Sequence, residues 1–383
     1  MRIFKPSPIS GSTVPIGALF SLALSHALAV SLPPPTGPYY VGITRQTIEH
    51  YNDNDPLAPN NISTAFLATI FYPTTQESQE DPKPYLQPET ASMIEVAWGY
   101  PNGSLAAITS TLQEDAPFLR DISGPTLLFG PGGGGPPAEA NTILLAELAS
   151  YGYTVIGIDH PFEQPFLRYS NGTGVVGVDV DYSSQDLLDA IYATRILDNS
   201  VVLSCLPDLA ERLGAPFSTS SVGAFGYSLG GAAALGSMYD SPAIAAGLNM
   251  DGGMYPRQNS STPAADVGRA VMQLGEELHV SQPDGIDITW YNFRKEQTGP
   301  YYEVVVNGTL HHDFCDNAFW KSEFPDNSGS GTIDGKRQTV IMNTFVKAFF
   351  DVTLLGKNSS LLDGPSDAWP EITHYDRSGN VID

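Results

Sequence analysis

A chain of 383 residues with 42% hydrophobic and 10% aromatic side chains has enough apolar surface to bury a large core, which excludes a disordered protein. Its formal charge of −24 excludes nucleic acid as an expected partner, as well as docking on an anionic membrane by charge, because both need basic patches.

Arg2 and Lys5 precede an apolar stretch from Val14 to Val30, and Ala27-Leu28-Ala29 has the small-x-small pattern of a cleavage site. Residues 1–29 are therefore expected to be a signal peptide, residues 30–383 a single catalytic domain, and the protein secreted and extracellular. Cleavage removes two cations, taking the charge from −24 to −26. Six sequons fit that compartment, at Asn61, Asn102, Asn171, Asn259, Asn307 and Asn358. Asn307 is the weakest site for a sugar, since a glycan there would crowd the histidines that follow it. The two cysteines, Cys205 and Cys315, are expected to form a disulfide, worth about 4–5 kcal/mol for so long a loop. The alternative is two buried thiols. With so few thiols and no paired histidines at helical spacing, no metal site is expected.

Pro33 to Pro38 should run extended. Tyr39–Glu49 and Thr64–Tyr72 alternate apolar and polar residues and read as an antiparallel edge pair. Residues 73–124 are rich in Pro, Gly, Asn and Ser and read as a long insertion, a lid or substrate wall. Its apolar segment, Met93, Ile94, Val96, Trp98 and Tyr100, either faces a lipid in transient interfacial contact or covers the core. A regular alternation follows: strand Pro125–Phe129, amphipathic helix Ala138–Tyr151, strand Tyr153–Asp159, and helix Ser184–Asn199 capped by Ser183 or Ser184. Beyond Val222 come strands Arg269–Gly275 and Tyr302–Val306 and helices Ile288–Lys295 and Lys336–Leu355. Such alternation predicts an α/β fold with a mostly parallel central sheet, helices on both faces, and a site at the carboxyl ends of the strands.

The stretch Val222–Gly253 organises the rest. A short apolar strand turns at Gly226-Tyr227-Ser228-Leu229-Gly230 and continues as a small-residue helix to about Tyr239, and a second apolar run, Ile244–Met250, ends at Asp251. The pattern G-x-S-x-G on a strand–turn–helix holds a serine hydroxyl clear of the sheet. Leu229 opens the helix, so its free N–H and the helix dipole can face an oxyanion. A serine nucleophile needs a base, and the base needs an orienting acid. Of the downstream histidines, His279 and His374 sit in a polar loop and the tail, whereas His311 and His312 directly follow a strand. Asp251 likewise leaves a strand end, unlike Asp284, Asp287 and Asp313. The loop Gly130–Gly135 is glycine-rich enough to supply a second oxyanion donor, and it lacks the G-K-[ST] ending of a phosphate loop.

Four segments carry a family resemblance: P-T-L-L-F-G-P-G-G-G-G from Pro125, the Gly-Tyr-Ser-Leu-Gly-Gly turn, N-M-D-G-G-M-Y-P from Asn249 and G-T-L-H-H-D-F-C-D from Gly308. Together they resemble the platelet-activating-factor acetylhydrolases, serine esterases of the α/β-hydrolase fold, over roughly residues 37–376. The resemblance implies a triad of Ser228, Asp251 and His311 rather than His312, with oxyanion donors at Leu229 and Gly133. It also implies release of a short sn-2 acyl group, such as acetate, from a glycerophospholipid through an acyl-enzyme, without a cofactor. Two positions depart from the family pattern. Pro131 stands where the family has His, and Gly133 where it has a bulkier apolar residue, which bears on pocket shape. The alternative activities are a broader short-chain carboxylesterase or polyester-type hydrolase, and, in a different class, a silent hydrolase-fold binding protein.

Overall fold

Six parallel strands lie side by side in the computed structural model, which describes residues 30–77, 82–254, 265–279, 287–325 and 329–383. The expected signal peptide, the Asn259 sequon and Asp284 lie outside the described residues. The strands in chain order are β1 (Tyr40–Asn52), β2 (Ser63–Thr74), β3 (Lys83–Pro84), β4 (Thr109–Ser110), β5 (Gln113–Glu114), β6 (Thr126–Gly130) and β7 (Thr154–Asp159). They continue with β8 (Phe166–Arg168), β9 (Gly174–Val176), β10 (Val222–Tyr227), β11 (Ile244–Met250), β12 (Ala270–Gly275), β13 (Tyr301–Val306) and β14 (Ile372–Tyr375). The central sheet has the order β14-β13-β12-β11-β10-β6-β7-β2-β1-β5. Every residue of β6, β7, β10 and β12 is buried, as continuous apolar runs require when both faces are covered. The predicted β1–β2 pair is antiparallel, with Ile43 opposite Phe71, and the two-residue β5 adds a short outer edge to it.

Helices α2 (Thr142–Ser150) and α7 (Gly335–Leu355) cover one face, packing Leu144, Leu145 and Leu148 with Phe345, Phe349 and Phe350. Helices α3 (Gln185–Leu213) and α4 (Leu229–Asp240) cover the other, through Val202, Leu206, Ala234, Leu235 and Met238. Two helices differ from the sequence reading. The first, α2, is buried on every side rather than amphipathic, because the Pro-rich leader lies over it: the Thr36 N–H donates to Glu147 Oε2 (2.8 Å) and the Gly37 N–H to Ser150 Oγ (3.0 Å). The second, α3, starts at its Ser184 cap but runs on through Pro207 to Leu213, because Val202, Leu206 and Leu209 keep one face buried. Gly214, at φ 59°, then ends it.

The insertion folds around α1 (Pro88–Trp98), whose Ile94 packs with Tyr100, Leu105 and Ile108 against Phe319 and Trp320 of α6 (Asn317–Glu323). Ile94 and Tyr100 therefore cover the core, while Val96 faces solvent. Among the described residues no helix is long and apolar enough to cross a membrane. The sequon residues Asn61, Asn102, Asn171 and Asn358 are exposed; Asn307 is half-buried and its Nδ2 donates to Thr373 Oγ1 (3.3 Å).

The expected disulfide is not formed. Cys205 and Cys315 are both free thiols. Cys205 lies on α3 against the core of one sheet face, whereas Cys315 belongs to the core of the α2/α7 face, so the sheet separates them.

Candidate active site

The turn between β10 and α4 forces Ser228 into an unusual backbone conformation (φ 56°, ψ −125°), strained for any residue with a Cβ. Hydrogen bonds on both sides hold it: the Ser228 N–H donates to the Met250 carbonyl (2.7 Å), and the Ser228 carbonyl accepts from the Ala232 N–H (3.1 Å). Helix α4 also presses directly on β6. A Cβ at Gly230 would lie 2.1 Å from the Gly130 carbonyl oxygen, so only glycine fits there.

Asp251 follows β11 immediately and is 1% exposed. His311 opens the 3₁₀ turn His311–Phe314 after β13. The structure brings these two together with Ser228. His311 Nε2 lies 2.9 Å from Ser228 Oγ, and His311 Nδ1 lies 2.5 Å from Asp251 Oδ2. Burial would raise the Asp251 pKa, but the His279 and His311 imidazoles beside it outweigh that and hold the carboxyl well below its usual range.

The remaining candidates are placed elsewhere. His312 stacks on Trp98, with ring centroids 4.5 Å apart. His374 is buried in β14 beside Phe345. Asp313 builds the turn that carries His311. Its Oδ2 accepts the N–H groups of Leu310 (2.9 Å) and Gly331 (2.6 Å), and its Oδ1 pairs with Lys321 Nζ (2.6 Å).

Gly133 and Leu229 line a cleft of about 470 Å³ together with Ser228, His311, Tyr182 and Ile288. A Cβ at Gly133 would meet Leu229 Cδ2 at 3.1 Å and Tyr182 Cε1 at 3.2 Å. The Tyr182 ring thus fills space that a larger residue at position 133 would occupy, which accounts physically for that departure from the family pattern.

Two contributions went unseen in the sequence. Arg195, 1% exposed on α3, donates to both carboxylate oxygens of Glu163 (3.0 and 2.8 Å) and to the carbonyls of Pro131 (2.5 Å) and Gly132 (3.1 Å). Glu163 Oε1 in turn accepts the Gly134 N–H (3.3 Å). This buried pair props the Gly-rich loop from behind. A cation on the apolar face of α3, four residues from Ile191 and seven from Val202, was the available signal. The second is His279, which lies between Asp251 Oδ1 (3.2 Å) and Asp287 Oδ2 (3.0 Å). Among the described residues, Asp251, Glu276 and His279 have donor atoms close enough together to hold a metal ion. Both ring nitrogens of His279 face carboxylates, which suits a ring that donates from both sides, and such a ring has no lone pair for a cation.

A probable 1-alkyl-2-acetylglycerophosphocholine esterase of Arthroderma benhamiae (strain ATCC MYA-4681 / CBS 112371) is 26% identical over 400 aligned positions, covering 94% of this chain and 98% of the relative. The chain is a carboxylic ester hydrolase. That homologue agrees with the family resemblance carried by the motifs. A ferulic acid esterase from Streptomyces cinnamoneus superposes on the ester hydrolase with a TM-score of 0.75 at 24% identity, over 91% of this chain and 100% of the other, and shares its α/β-hydrolase fold. No protein-family model matches the chain.

Proposed function

We propose that the protein is a secreted serine esterase that releases a short sn-2 acyl group, acetate in the simplest case, from glycerophospholipids of the platelet-activating-factor type. The hydrogen-bonded line from Ser228 through His311 to Asp251 carries this reading. In it, Ser228 Oγ attacks the ester carbonyl while His311 Nε2 takes its proton. The tetrahedral intermediate collapses to an acyl-enzyme as His311 protonates the departing alcohol, and water then repeats the sequence to release the acid. Asp251 orients His311 and stabilises its imidazolium form. The Leu229 and Gly133 N–H groups receive the developing oxyanion, each worth about 3 kcal/mol in the transition state. No cofactor enters these steps. The substrate class rests on the motifs and on the activity named for the Arthroderma relative.

The test is hydrolysis of phosphatidylcholines whose sn-2 chain runs from acetyl to palmitoyl, with Ser228→Ala as control. Turnover confined to short chains is expected. Turnover of simple esters alone would replace the phospholipid reading by a general carboxylesterase, and a folded protein with no turnover would sink the catalytic reading.

A further inference from the structure

Asp251 carries two histidines, one on each carboxylate oxygen. Oδ2 faces His311 (2.5 Å), while Oδ1 accepts the Glu276 N–H (2.7 Å) and faces His279 Nε2 (3.2 Å). The latter contact lacks the alignment of a good hydrogen bond, so the attraction is chiefly ionic. The His279 ring is itself fixed. Its other nitrogen, Nδ1, meets Asp287 Oδ2 at 3.0 Å, and its face lies flat on Trp290, with centroids 4.1 Å apart and planes 3° apart. Trp290 is wholly buried and donates its Nε1–H to the carbonyl of Gly252, the residue after Asp251 (2.7 Å). Asp287 is the cap of α5 (Ile288–Glu296), where its Oδ1 accepts the Thr289 N–H (2.9 Å). All of this meets over Gly275, where a Cβ would stand 2.7 Å from Trp290 and 2.9 Å from Asp251 Oδ1.

With a carboxylate oxygen at each ring nitrogen, a neutral imidazole would point one lone pair at a negative charge, so the arrangement calls for the doubly protonated ring. We infer that His279 is a positioning residue for the proposed triad: a fixed imidazolium that locks Asp251 Oδ1 so that Oδ2 is presented to His311, and that draws off part of the charge Asp251 offers His311. The inference rests on the triad reading of the previous subsection. Burial works against a cation here, yet Asp251 and Asp287 raise the His279 pKa to about 10. The other charged groups facing this cluster are Glu276 on the same loop, Glu303 of β13, which is paired with Arg294 of α5 (2.7 Å), and Asp313 beyond His311.

A cation beside Asp251 competes with His311 for the charge of the same carboxylate. His279→Gln and His279→Phe remove the charge; the Phe variant keeps the stack on Trp290. Each should move the acid limb of kcat/KM for p-nitrophenyl acetate upward by roughly half to one unit. The activity at pH 5 should then fall about three- to tenfold more than at pH 8. Asp287→Asn should give a smaller shift of the same sign. Independently, the His279 ring resonance in ¹³C-labelled Ser228→Ala protein, assigned by its loss in His279→Gln, should not titrate below about pH 9. Wild-type hydrolysis with an unmoved acid limb in both folded variants would overturn the inference and leave the esterase reading standing. If the wild type fails to hydrolyse the ester, the esterase reading falls and the resonance decides the charge state. A midpoint near the ordinary value of about 6.5 overturns the inference.

Discussion

Arg195 and Glu163 form a two-point ion pair beneath the Gly-rich loop, and the same guanidinium holds the carbonyls of Pro131 and Gly132. Those carbonyls cannot turn into the cleft while Arg195 holds them, and Glu163 takes the Gly134 N–H, so the pair fixes the loop from behind. Removing one partner of a buried pair strands the other charge, and Arg195→Met should cost about 3–5 kcal/mol in chemical denaturation. The double variant Arg195→Met/Glu163→Gln should regain part of that stability but not its kcat, because the loop carbonyls remain unheld. Recovery of full activity by the double variant would assign the pair a purely structural role.

Ser228→Ala and His311→Ala should each lower kcat by about 10⁴-fold or more, since members of such a unit fail together. His312→Ala is the informative control. Its ring stacks on Trp98 instead of reaching the serine, so its turnover should stay within roughly tenfold of the wild type. A loss as large as that of His311→Ala would make His312 the base.

The strands around the site were legible because continuous apolar runs such as Val222–Tyr227 and Thr126–Gly130 have few alternatives once glycine turns bound them. The placement of Ser228 and Asp251 followed from strand ends. The choice of His311 over its neighbour did not, because two adjacent histidines share the same local pattern, and there the family motif pointed to the residue that the structure places against Ser228. Local pattern ends α3 near Asn199, whereas in the fold tertiary burial outweighs the local cost of Pro207. Strand β14 has no local signal, because four residues acquire strand character only by pairing with β13. Arg195 and His279 act through residues far away in the chain, which no local spacing reports.

Stability should peak on the acid side of neutrality. Burial raises the pKa of Asp159, Asp316 and Glu276 to about 7 each. The folded state therefore holds protons that the unfolded state releases above its lower carboxyl values. This contribution is complete below the unfolded pKa and is lost as pH rises through about 7. Asp251 has the opposite sign: its depressed pKa adds stability above the unfolded value that is lost only in strong acid. Tm should accordingly fall between roughly pH 5 and pH 8. Asp316→Asn, which keeps an acceptor for the Tyr85 hydroxyl (2.5 Å), should flatten the decline. A Tm that climbs toward pH 8 in calorimetry would refute the assignment.

Free thiols on opposite faces of the sheet give the last test. Burial raises the pKa of both cysteines, which keeps them as unreactive thiols near neutral pH. Cys315 Sγ–H points at the His312 carbonyl (3.6 Å) and Cys205 Sγ–H at the Val202 carbonyl within its own helix (3.4 Å), so neither sulfur is directed at the other. Joining them would require crossing the sheet, which no rotamer change achieves. A thiol reagent should therefore titrate both cysteines in denaturant without prior reduction, and in the native protein only half-buried Cys205 should react, slowly. Reductant should leave Tm unchanged. If the denatured, unreduced protein yielded no thiol and reductant lowered Tm, the two faces would have to be linked, and the packing of α3 described above would be wrong.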